Sequence, residues 1–207
     1  MTPRTPRPTK DTAAQGVDRS DRLSLDQIVE TAVRLTAEQG LSTLTMRRIA
    51  EELGVTPMAT YYYVSNKDEL IDLVIDAVMG AVVIPSEKSG SWSERLWHLN
   101  RASRKAMAAH PGVAEELISR PRTAASKRHV DAIVAMLEEA GFDAKEAVLA
   151  YNMFEACMFG QFVVDRSERI TAHDDRSYRW TFDTLIAGFE ARIAATGGSK
   201  ARSPRRQ

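Results

Sequence analysis

Apolar residues return every third or fourth position along most of the chain, and no stretch alternates apolar and polar long enough for a strand. The pattern predicts an all-α fold. Leu25, Ile28, Val29, Ala32, Val33, Leu35 and Thr36 form the first stripe. Ser24 and Gln27 stand at capping-box positions in front of it, and Gly40 closes it. A second helix starts at Thr45, turns Ile49, Ala50 and Leu53 inward and stops at Gly54. Thr56-Pro57 opens a third, because the fixed φ of proline suits the first helical position. Asn66, with Glu69 three residues on, caps a fourth that runs through Leu70, Ile71, Val74, Ile75, Val78 and Val82 until Pro85. Beyond a polar stretch from Ser86 to Ser93, five more helices are expected at about 93–109, 112–119, 123–140, 143–166 and 175–195.

Two short helices around the Gly54 corner, packed on the first, predict a helix-turn-helix. In that unit the second of the pair enters the major groove of DNA. Leu44, Ile49, Leu53, Val55 and Tyr61 are the expected small core. Thr45, Arg47 and Arg48 sit at a helix start, where free N–H groups and the macrodipole favour phosphate. Arg47 is read as the groove-facing cation, and Arg48 as a flanking phosphate contact or a surface salt bridge. On the next helix Thr56, Met58, Ala59, Tyr62 and Tyr63 point outward, with Lys67 behind them as a further phosphate contact. This helix has no Arg, Asn or Gln for a two-pronged base contact, so readout should rest on methyl, hydroxyl and shape contacts.

Composition changes this picture little. The 207 residues carry 28 Lys+Arg against 28 Asp+Glu, a zero balance that requires basic groups to be placed rather than abundant. A single cysteine, Cys157, excludes an internal disulfide and a thiolate zinc site. No apolar run approaches the roughly 18 residues of a membrane span, and the N-terminus lacks a secretory core, so a cytoplasmic protein is expected. The expected organisation is a disordered basic arm over 1–22, a DNA-binding domain over 23–70, a ligand-binding and dimerisation domain over 71–196, and a disordered basic tail over 197–207. Arg4, Arg7 and Lys10 in the arm could add phosphate contacts.

In the larger half, Ala147 to Val164 is apolar on nearly every face, as for a helix with a cavity on one side and a partner subunit on the other. Phe182, Leu185, Ile186, Phe189 and Ile193 form a stripe on the last helix, and this pair of helices could make a four-helix bundle across a two-fold axis. Candidate pocket residues are Trp97, Arg104, Met107, Leu117, Met136, Tyr151, Phe154, Glu155, Met158 and Phe159. Flexible methionines beside aromatics suit an apolar ligand, although the same stripe would serve a plain core. Arg104 and Glu155 are the informative members, since a charge in an apolar run needs a partner. His98, His110, His129 and His173 show no metal-ligand spacing and read as surface or capping residues; no metal or cofactor is expected.

From Leu25 to about Val83 the chain closely resembles the DNA-binding domain of the tetracycline-repressor (TetR) family. The resemblance rests on Ala32, Gly40, Leu44-Thr-Met-Arg47, Ile49-Ala50, Leu53-Gly-Val55, Tyr61, Asn66-Lys67 and Glu69-Leu70. Two departures stand out: Thr60 where leucine is usual, and Tyr63-Val64 for His-Phe. The later part is similar to the tetracycline repressor's own C-terminal type at Trp92, Ser119-Arg-Pro121, Gly160 and Ala187-Gly-Phe-Glu190. The polar pocket positions of that relative fall on Val83, Leu99 and Ser103 and its metal histidine on Glu116, which disfavours a tetracycline–magnesium ligand. The resemblance implies a homodimer on a pseudo-palindromic double-stranded operator, most simply a repressor released when a small, largely apolar effector shifts the fourth helix. The alternative is a small-molecule carrier or partner-binding protein that no longer recognises an operator. No nucleophile–base pair, phosphate-cradling loop or metal cluster supports an enzyme.

Overall fold

In the computed structural model, residues 23–165 and 175–200 are described, the side chains of 163–165 and 196–200 excepted. The arm over 1–22, His173 and residues 201–207 lie outside them. The described residues form helices α1 (Leu25–Gln39), α2 (Met46–Leu53), α3 (Pro57–Tyr61), α4 (Lys67–Gly80), α5 (Trp92–Ala109), α6 (Val113–Ser119), α7 (Ala124–Ala140), α8 (Ala144–Asp165) and α9 (Asp175–Lys200). Short 3₁₀ turns lie at Leu41–Thr43 and Glu87–Ser89. None of the described helices is long and apolar enough to cross a membrane.

Local chemistry sets these boundaries. Ser24 and Gln27 cap α1 reciprocally, each accepting from the other's backbone N–H, and Thr45, Thr56 and Asn66 accept from the third residue of their helices. Each such cap contributes on the order of 1 kcal/mol. Glu69 accepts from Ser65 N at 2.7 Å, one residue ahead of the expected cap partner. Helix α4 ends at Gly80, the weakest helix former of its run, although the following Val82 is still buried. Helix α9 runs to Lys200, so the expected tail from Gly197 overlaps its last turn.

Two apolar clusters organise the molecule. One gathers α1, α2 and α4 with Met107, Val113, Ala114 and Phe162. The other joins α5, α7, α8 and α9 around Leu96, Leu99, Leu137, Phe154 and Phe182. Helix α4 packs against both α1 and α7, so the N-terminal half and the larger half share it. A second junction lies at the α5–α6 corner, where Leu41 N donates to Pro111 O at 2.8 Å. There Gly112 adopts φ +95°, and a Cβ on it would stand 2.9 Å from Leu41 Cβ.

The stripe Phe182, Leu185, Ile186 and Phe189 of α9 is turned into its own chain's core, not toward a partner as expected. Phe182 meets Phe154 and Trp97 edge-on, and Phe189 meets Phe142. The outward faces are others: Val148, Leu149 and Met153 on α8, and Trp180, Thr184, Ala187, Gly188 and Ala191 on α9.

Candidate functional site

The corner between α2 and α3 is made by Gly54 at φ +67°, a left-handed conformation that glycine adopts without strain. Thr56 and Pro57 then start α3 at once. Positions four apart, Thr60 and Val64, face inward with no exposed surface, and the Thr60 hydroxyl donates to Pro57 O at 2.7 Å. The rotation corrects one expectation: Tyr61, a residue off that inward line, is 49% exposed and is not part of the core. Leu44 and Ile49 are buried as expected, Leu53 and Val55 half-buried. The helix therefore ends in three exposed tyrosines, with Tyr62 at 86% and its ring edge-on to Tyr63.

Thr56, Met58 and Lys67 are exposed and Ala59 half-buried on the same tip. The Arg47 side chain is 82% exposed and pairs with Glu51 at 2.9 Å. Solvent screens so exposed a pair strongly, so a phosphate or base can replace Glu51 at little cost. Arg48 lies within 4 Å of both Glu51 and Glu52, the surface salt-bridge alternative of the sequence reading. Thr45 is occupied as the cap of α2, its hydroxyl accepting from Arg48 N at 3.1 Å.

The second feature is a cavity of about 750 Å³ lined by residues of α4 to α9. Eight of the ten expected residues line it: Arg104, Met107, Leu117, Tyr151, Phe154, Glu155, Met158 and Phe159. Two do not. Trp97 packs away from it, between Tyr178 and Phe182 with Arg179 over its ring, and Met136 fills the core behind. Helix α7 instead presents Ser126, His129, Val130 and Ile133, spaced as one helical face. That spacing was readable in the sequence, but the polar members hid it. His129 is 5% exposed, which overturns its reading as a surface or capping residue; burial lowers its basicity, the Ala125 carbonyl opposes this, and Arg128 adds to it. His110 does cap, its Nδ1 lying 2.8 Å from Ala106 O at the end of α5.

The two charges expected to need partners have them. Arg104 reaches Asp175 at 3.3 Å and stacks on the Tyr178 ring at 4.3 Å. Glu155 accepts from the Tyr151 hydroxyl and from Arg122 at 3.2 Å. Burial and this carboxylate hold the Tyr151 phenol well above its ordinary range, so it stays a donor. Of the positions matching the tetracycline–magnesium site, Leu99 and Ser103 line the cavity, Val83 lies on the surface, and Glu116 bonds Arg120.

Helix α4 is stitched to the cavity wall along one edge. Arg120, a lining residue just after α6, donates to Asp68 at 2.6 Å and lies 3.4 Å from Asp72. One turn on, Asp76 accepts from Ala125 N at 2.7 Å, and another turn on Gly80 O accepts from Arg128 at 3.3 Å. Four rungs at successive turns tie α4 to the stretch from Arg120 to Arg128.

Comparison with known proteins matches this geometry. Residues 28–74 match the family model for bacterial regulatory proteins of the tetR family, and 84–191 the tetracyclin repressor-like C-terminal domain. The chain is 31% identical over 162 residues to the HTH-type transcriptional repressor DrrR1 of Streptomyces coeruleorubidus, covering 75% of this chain and 60% of the relative. It is 32% identical to an HTH-type transcriptional regulator of Saccharopolyspora erythraea, covering 75% and 65%. The chain thus spans less than two thirds of these curated relatives. Among solved structures, apo ActR of Streptomyces coelicolor superposes with a TM-score of 0.74 at 25% identity, over 84% of this chain and 98% of ActR. ActR is also known in complex with actinorhodin. BioQ, solved with its double-stranded DNA operator, gives 0.69 at 25% identity over 82% and 99%.

Proposed function

Because this chain belongs to the TetR family, we propose that it is a homodimeric transcriptional repressor acting in the cytoplasm, released from its operator by a small, largely apolar effector. The observation that carries this reading is the edge of α4. One end of that helix, at Asp68, adjoins Lys67 and the tyrosine tip, and its length is bonded to Arg120, which lines a cavity of about 750 Å³, and to Ala125 and Arg128 on α7, the helix that lines it through Ser126 and His129. An effector acts only through a difference in affinity between two states, and a wall that grips α4 at each turn converts cavity shape into helix position. The complexes of ActR with actinorhodin and of BioQ with DNA support the two halves separately.

Residues 23–70 are assigned to DNA contact and 71–196 to effector binding and dimerisation, with α4 common to both. Within the first, Thr45, Arg47, Arg48, Thr56, Met58, Ala59, Tyr62, Tyr63 and Lys67 are the proposed contacts, and Tyr61 joins them by its exposure. The exposed apolar faces of α8 and α9 are the proposed dimer surface, since patches of this kind on two long neighbouring helices suit a two-fold bundle. The test is a gel shift on DNA flanking the protein's own gene. Wild type should give a discrete complex that Arg47→Ala and Tyr62→Ala abolish; uniform non-specific binding by all three would contradict the assignment.

A further inference from the structure

Taking the cavity as the effector site, as proposed above, we infer that the effector is an uncharged, mostly apolar ring compound with a carbonyl group, and that Asn100 Nδ2 and Ser103 Oγ on α5 donate to its oxygen. Asn100, Ser103, Arg104 and Met107 recur at three and four residues, so one face of α5 lines the cavity. The Tyr178 hydroxyl donates to Asn100 Oδ1, which orients the amide and leaves the two hydrogens on Nδ2 unused. Three residues on, the Ser103 hydroxyl is unused as well. Hydroxyls inside helices can turn back to a carbonyl one turn earlier, as Ser119 does to Glu115 O and Thr184 to Trp180 O. Ser103 makes no such bond, and neither Nδ2 nor Oγ meets a partner among the described residues. Unlike the sealed His129 Nε2, both atoms keep accessible surface, and both side chains are half-buried in the cavity lining.

Side chains three apart on a helix stand about 5–6 Å from each other, near enough to converge on one oxygen or on two neighbouring ones. The charges of the lining favour the same group. Among the described lining residues Arg104, Arg120 and Arg122 face a single carboxylate, Glu155. The carboxylates that pair with Arg104 and Arg120, on Asp175, Asp68, Asp72 and Glu116, lie outside the lining. This surplus of positive potential favours an acceptor oxygen over an ammonium group. A ligand with a full charge would have to break one of these pairs, whereas a neutral carbonyl compound leaves all in place. Leu99, Met107, Phe154, Met158 and Phe159 supply apolar wall, and about 750 Å³ accommodates a molecule of several fused rings.

The test compares 9-fluorenone with fluorene, which has a methylene in place of the carbonyl, by equilibrium dialysis against the full-length protein, Ser103→Ala and Asn100→Asp. Asn100→Asp keeps the acceptor for Tyr178 and removes the free N–H. The ratio of the two affinities, ketone over hydrocarbon, should fall from its wild-type value by roughly 3- to 10-fold in each variant, the range of one hydrogen bond. Comparing ratios removes the difference in how the two compounds leave water. If Asn100→Asp fails to fold, Ser103→Ala decides alone. A ratio that stays unchanged in either folded variant overturns the inference and leaves the cavity as an effector site. Failure of both compounds to bind wild type overturns the reading of the cavity itself.

Discussion

Arg47 and Tyr62 stand out from the protein surface with little to hold them, Arg47 by one exposed ion pair and Tyr62 by one ring contact. Replacing either by alanine should therefore leave thermal stability unchanged while weakening operator binding about 10-fold or more, measured by fluorescence anisotropy. Gly54 and Gly112 invite a contrast. Alanine at Gly54 meets no atom within 4 Å and costs only the left-handed backbone, about 1 kcal/mol, whereas at Gly112 it also strikes Leu41. Thermal denaturation should show Gly112→Ala to be clearly the worse of the two. His129 supplies a pH dependence: its folded-state pKa lies below that of the unfolded chain, so the unfolded state takes up the proton first. Its contribution is complete above about pH 6.5 and falls as pH drops below that value. His129→Phe should flatten this part of the stability–pH curve. At this scale the sequence was an uneven guide. Thr60 and Val64 share the inward line and Tyr61, one residue round the helix, leaves it; α3 is only five residues long, too short for its periodicity to have revealed which side is inside.

At the scale of helices most was legible, because caps are local chemistry. Ser24, Thr45, Thr56 and Asn66 announce α1 to α4, and the polar run 86–93 announces the break before α5. Which face of a helix meets which neighbour was less so. The α9 stripe at Phe182 and Phe189 looked like a dimer seam and is instead the inner side of its own bundle, since both uses require the same spacing. The edge of α4 was hidden for another reason: the partners of Asp68, Asp72 and Asp76, on Arg120 and Ala125, are about 50 residues away, beyond the reach of any local pattern. Arg120→Ala should test this edge. Operator binding without ligand should change little, while the drop in operator affinity caused by a bound cavity ligand should shrink by about 5-fold or more. An unchanged ligand response would mean that α4 takes its cue elsewhere.

The whole molecule is one chain with two cores joined through α4, and its outer face on α8 and α9 remains uncovered. Met153→Glu and Trp180→Glu, introduced together, should give a monomer by light scattering and remove binding to a two-half-site operator, since one tip holds only one half-site. The most direct test of the central claim is selection from a random duplex DNA library by the ligand-free protein. The account predicts enrichment of an inverted repeat with half-sites spaced by whole helical turns, about 10 base pairs or a multiple. It also predicts loss of that enrichment with Arg47→Ala and with Tyr62→Ala. Recovery of no repeat by wild type, or of the same repeat by both variants, would contradict the assignment of α3 and its tyrosines as the surface that reads DNA.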